Sequence, residues 1–80
     1  MDFSAAYRAI AKSRGYSIPA AAEAAGTKYG SLANVLKRNN PGVQVAGKYL
    51  APLGYEVVLA PVGTKLPEGC HVIGGGEGND

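Results

Sequence analysis

The run from Ser17 to Arg38, SIPAAAEAAGTKYGSLANVLKR, constrains the fold of this chain more than any other stretch. Pro19 falls in a helix's first turn, where a missing N–H costs nothing, and Ser17 before it has the hydroxyl that caps such a turn. Gly26 ends that helix after about nine residues by accepting a left-handed conformation. Thr27 is then placed to cap a second helix reaching about Arg38, in which Leu32, Val35 and Leu36 recur at the three-and-four spacing of a buried stripe. Ala20 to Ala25 put small side chains where the two helices meet, so they pack closely across one tight turn.

Eighty residues make one small domain. A core of that size leaves only a few kcal/mol of net stability, so support from a second subunit is expected. Ahead of the central pair, Asp2 or Ser4 caps a first helix whose apolar face is Phe3, Ala6, Tyr7, Ile10 and Ala11, and Gly15 stops it. Asn39-Asn40-Pro41-Gly42 is a turn by composition. A fourth helix is expected from about Val43 to Ala51, with Val43, Ala46, Leu50 and Leu53 as its buried stripe. Gly47 weakens its interior by roughly 1 kcal/mol, and Pro52 removes a hydrogen bond near its end.

After Gly54 the pattern changes. Tyr55-Glu56-Val57-Val58-Leu59-Ala60 is rich in β-branched and aromatic residues, so 55–61 reads as a strand closed by Pro61. Residues 70–73 return as the second strand of a short hairpin across the Gly63–Gly69 connection. The single domain therefore spans 1–73, and 74–80 form a flexible, glycine-rich acidic tail.

Charge divides along the chain. Residues 1–54 carry seven basic against two acidic side chains, a net of +5, whereas 55–80 carry one against four, a net of −3. A polyanion suits the first part only. Cys70 is the only cysteine, which excludes a disulfide within one chain and makes a reducing cytoplasm, bacterial or phage-infected, the expected location. No apolar run approaches the ~18 residues of a membrane span, and no signal-peptide pattern is read at the start.

Catalytic chemistry finds no footing. Cys70 and His71 are adjacent, so on a strand they point to opposite faces and cannot act as nucleophile and base. With no further Cys or His they leave a zinc site short of ligands, so no metal is expected. The Gly74–Gly78 run precedes no helix and is no phosphate loop. No enzyme, cofactor or small-molecule ligand is expected.

Taken together, residues 5 to about 60 resemble the XRE/Cro-like (lambda-repressor-like) superfamily of helix-turn-helix proteins, of the small phage or mobile-element type. The family's alanine in the first motif helix is matched by Ala22, its turn glycine by Gly26, and its buried aliphatic positions by Leu32 and Val35. Leu53-Gly54-Tyr55-Glu56-Val57-Val58-Leu59 is similar to the strand that follows the last helix in small phage members. The resemblance implies a mainly α fold, a four- to five-helix Cro-like bundle followed by a C-terminal β-strand or short β-hairpin. Ile18 departs from the family, which often has a phosphate-binding glutamine there, and so do Gly30 and Pro52.

The same resemblance implies that the helix at about 27–38 enters the major groove of double-stranded DNA. Lys28, Tyr29, Ser31 and Asn34 would then read bases, with Lys28 donating to guanine and Asn34 pairing an adenine edge. Ser17, Thr27, Lys37, Arg38, Asn39 and Lys48 would lie nearer phosphates. Blander roles compete: Lys37 and Arg38 also suit a solvated helix end, Asn34 a local hydrogen bond, and Tyr16 the core. A lone strand has two open edges, so Tyr55, Val57, Val58, Leu59 and Ala60 are expected to pair with the same segment of a second copy, giving a homodimer on a palindromic operator. The expectation is a sequence-specific transcriptional regulator, a repressor by type. The rival is a small protein-interaction module or inhibitor, such as an anti-defence protein, built on the same scaffold without DNA readout.

Overall fold

The computed structural model describes residues 1–73. Four helices follow in order, α1 (Phe3–Ser13), α2 (Ile18–Ala24), α3 (Tyr29–Arg38) and α4 (Val43–Leu50), and a 3-10 turn, Ala51–Leu53, closes the helical part. The fold is mainly helical. The acidic tail expected at 74–80 lies outside the described residues.

Local chemistry sets the boundaries. The Asp2 carboxylate accepts the Ala5 N–H at 2.8 Å, and the Ser17 hydroxyl accepts the Ala20 N–H at 3.2 Å, so α1 and α2 start where a side chain takes an orphan donor. Both helices close with a Schellman pair of bonds. After α1, Tyr16 N–H reaches the Ala11 carbonyl at 2.8 Å and Gly15 N–H reaches Lys12 at 3.1 Å. After α2, Thr27 N–H reaches Ala22 and Gly26 N–H reaches Glu23, each at 2.9 Å. Gly15 and Gly26, at φ 80° and 77°, occupy the left-handed position this motif requires. Because Ala25 and Gly26 are spent on the motif, α2 has 7 residues rather than about nine.

The core joins all four helices. Phe3, Tyr7, Ile10 and Ala11 of α1 meet Ala21 and Ala22 of α2, Leu32 and Leu36 of α3, and Tyr49 and Leu50 of α4, with Leu53 beneath them. Complete burial of an aliphatic side chain such as Leu32 contributes roughly 1.5–3 kcal/mol. Tyr7 is also fully buried, and its hydroxyl donates to the Tyr49 carbonyl at 3.1 Å, which pins α1 to α4. Burial first, and the neighbouring Tyr49 second, push the Tyr7 phenol up to about 12.

Three local expectations need correction. Thr27 does not cap α3: Lys28 is the N-cap residue and offers no side-chain bond, because the Thr27 hydroxyl turns back to donate to the Ala22 carbonyl at 3.3 Å. Val43 is 69 % exposed, since the buried stripe of α4 runs off the end of the bundle and is carried by Ala46, Tyr49 and Leu50. Pro52 is accommodated, because it falls at the start of the 3-10 turn, where its missing N–H interrupts no helix ladder.

The expected C-terminal strand and hairpin are not formed within one chain. Among the described residues there is no strand, and 55–60 run without a ladder partner. The returning limb approaches through side chains instead: the Tyr55 hydroxyl donates to the Gly69 carbonyl at 3.0 Å, and the Tyr55 and His71 rings lie 6.1 Å apart. β-branched composition favours a strand only where a neighbour supplies the ladder, and Pro61 and Pro67 remove two donors between the limbs. Residues 55–73 are therefore an arm laid along the helical body.

Candidate nucleic-acid interface

Close packing at Ala21 and Ala22, both fully buried, brings α2 against α3 across the turn at residues 25–28. That packing buries Leu32 and Leu36 and half-buries Ala33 and Val35, which orients the rest of α3 outward. Gly30, Ser31, Asn34, Lys37 and Arg38 form the exposed stripe, with Lys28 and Tyr29 at its leading end. Tyr29 is 55 % exposed although aromatic. No acidic side chain occurs anywhere in α3, so the stripe carries only positive or neutral groups.

The helix ends add to this field. The N-terminus of α3 has no side-chain cap, so its first N–H groups are open to solvent beside the exposed N-cap residue Lys28. Lys37 and Arg38 occupy its last turn, where the helix dipole favours cations. Glu23 is the single acidic residue of the α2–turn–α3 unit.

The predicted site residues divide in two. Lys28, Tyr29, Ser31, Asn34, Lys37, Arg38 and Lys48 are exposed, and all but Lys48 lie on α3 or its cap. Lys48, on α4, rests its ammonium 5.6 Å from the Tyr49 ring centroid. Ser17 is exposed too, its oxygen engaged by the Ala20 N–H while its own hydrogen remains free to donate.

Thr27 and Asn39 have internal work. Both polar hydrogens of Thr27, from its N–H and its hydroxyl, go to the Ala22 carbonyl, and what remains on the side chain is acceptor only. A phosphate needs donors. Asn39, left-handed at φ 57°, ends α3 and uses its side-chain oxygen to accept the Ser4 N–H at 2.8 Å. Its side chain also helps hold the Asp2 carboxyl below the usual range, after the larger effect of the Ala5 N–H. Asn39 thus braces the start of α1 against the end of α3.

The arm places the predicted dimer residues at the surface. Tyr55 is half-buried, whereas Val58 is 67 % and Leu59 94 % exposed, and Val57 and Ala60 are exposed beside them. No sequence pattern singles out Arg14. It is the C-cap residue of α1, and its guanidinium carbon stands 5.2 Å from the Tyr55 ring centroid. Nothing in the linear pattern pairs two residues so far apart.

Among the described residues no group of three or more His, Cys, Asp or Glu side chains converges to hold a metal ion, and no helix is long and apolar enough to cross a membrane. No family model, curated protein or solved structure matches the chain.

Proposed function

We propose that this chain is a sequence-specific DNA-binding regulator of the Cro-like helix-turn-helix type, acting as a homodimer. The observation that carries the reading is the outward stripe of α3, which is free of acidic groups and held rigidly by the alanine seam with α2. In the major groove, Lys28 is placed to donate to guanine O6 and N7, and Asn34 to pair an adenine edge through its amide. Tyr29 and Ser31 add an apolar face and a hydroxyl. Lys37, Arg38, Ser17 and Lys48 supply donors to phosphates, which fix position without reading sequence.

The arm completes the dimer. Among the described residues its backbone from 56 to 60 has no hydrogen-bond partner, and its aliphatic side chains are exposed. Pairing that segment antiparallel with its copy turns it into a strand, and centring the pair on Val58 sets Glu56 opposite Ala60 and Val57 opposite Leu59, so no like charges face each other. A two-fold axis there would give the dimer two α3 helices related by the symmetry of a palindromic duplex site.

The test is fluorescence anisotropy with labelled duplex across a range of salt. Binding should weaken steeply with salt, and replacing Lys37 and Arg38 with alanine should weaken all sequences alike and flatten the salt slope by about two. Replacing Lys28 and Asn34 should relax sequence preference. Unchanged binding in all four variants refutes the assignment of this face. A second reading, a protein-interaction module, is favoured by the exposed aliphatics Leu59 and Val62 and the exposed Tyr29. It predicts a stable protein complex and no salt-dependent duplex binding.

A further inference from the structure

Resting on the DNA-binding dimer proposed above, we infer that Arg14 and Tyr55 form a latch that sets the separation of the two recognition helices, and hence the half-site spacing the dimer accepts. The arm leaves the helical body at Gly54–Tyr55, the swivel, where the Gly54 N–H also bonds the Ala51 carbonyl at 3.0 Å. Gly54 is left-handed at φ 82°, and the Tyr55 N–H returns to the Leu50 carbonyl at 3.2 Å. Among the described residues of the arm, Tyr55 is the one apolar side chain packed against the core.

Three contacts hold that ring. The Arg14 guanidinium lies over it at 5.2 Å, its hydroxyl donates to the Gly69 carbonyl at 3.0 Å, and the His71 ring stands 6.1 Å away. Arg14 also closes over the swivel itself, since a Cβ at Gly54 would lie 3.6 Å from its Nη1. The position of Arg14 gives this contact its meaning: it ends α1 three residues before Ser17, which caps α2. The stack therefore ties the arm to the C-terminus of α1, at the connection that leads into α2.

Without the tie, the backbone turn at Gly54–Tyr55 alone holds the base of the arm, and each half of the dimer swings there against those two bonds. Half a DNA turn is a lever of ~17 Å, so a swing of about 20° carries α3 by about 6 Å, nearly two base pairs. A locked swivel reads spacing. A free one does not.

The experiment uses the full chain and duplexes carrying two copies of its selected half-site, with their separation varied one base pair at a time. Wild type should prefer one separation by at least about tenfold over separations two base pairs away. Arg14→Ala and Tyr55→Ala should reduce that preference below about twofold, with Arg14→Ala leaving the affinity for a single half-site unchanged. Arg14→Lys and Tyr55→Phe, which keep a cation and a ring, should retain part of it. Variants that keep the wild-type spacing profile overturn the latch, and so do variants that lose affinity equally at every separation, the mark of simple destabilisation. Wild-type binding to half-sites with no spacing preference defeats the latch alone, whereas no duplex binding at all defeats the DNA reading together with it.

Discussion

At the scale of the residue, the same exchange has opposite signs at Gly26 and Gly47. Gly26 is held left-handed, so alanine there is strained and should destabilise by about 1 kcal/mol or more. Gly47 lies inside α4 with open space around a Cβ, so alanine there should stabilise by roughly 0.5–1 kcal/mol. Thermal unfolding reads both, since 1 kcal/mol moves the midpoint of a domain this size by about 4–8 °C. Gly30 is equally open, and alanine there should stabilise α3 while weakening DNA binding if the duplex backbone comes close. Tyr7 makes a pH prediction. Its phenol is raised in the folded state, so its contribution is complete below the ordinary value near 10 and is lost as pH climbs through about 12. Alkaline unfolding should begin in that window, and Tyr7→Phe should flatten the decline while costing about 1 kcal/mol through the lost bond to Tyr49.

At the scale of the element, the four helices were legible because their signals are local: a cap, a proline, a glycine and a three-and-four stripe all fall within one segment. Asp2, Ser17, Gly15 and Gly26 act where those rules place them. The misreadings arise where a residue answers to something beyond its own helix. Thr27 has a cap's hydroxyl, yet the closing motif of α2 claims it. The segment at 55–60 has the composition of a strand but no ladder within one chain, which composition alone cannot reveal. Its test belongs here too. Val58→Asp would place two carboxylates face to face at the proposed two-fold axis, so sedimentation should show a monomer where the proposal expects a wild-type dimer. The helical core should melt as before, because Val58 is 67 % exposed and contributes little to it.

At the scale of the whole molecule, the proposed function divides between a basic helical half and an arm with exposed aliphatics: under that proposal one half meets a polyanion and the other its own copy. Neither is sufficient alone. A single α3 covers only a few base pairs, and dimerisation raises both affinity and the length of sequence read. The candidate face was legible in the sequence as the residues left over once Leu32 and Leu36 were assigned inward, whereas the Arg14–Tyr55 contact that ties the two halves together was not. The most direct measurement is selection of bound fragments from a random duplex library by the full chain at moderate salt, followed by sequencing. An enriched inverted repeat, lost in the Lys28→Ala, Asn34→Ala double variant that still folds, is the predicted result. A pool that stays random through successive rounds, with the wild-type chain folded and dimeric, contradicts the assignment of α3 as a reader of DNA.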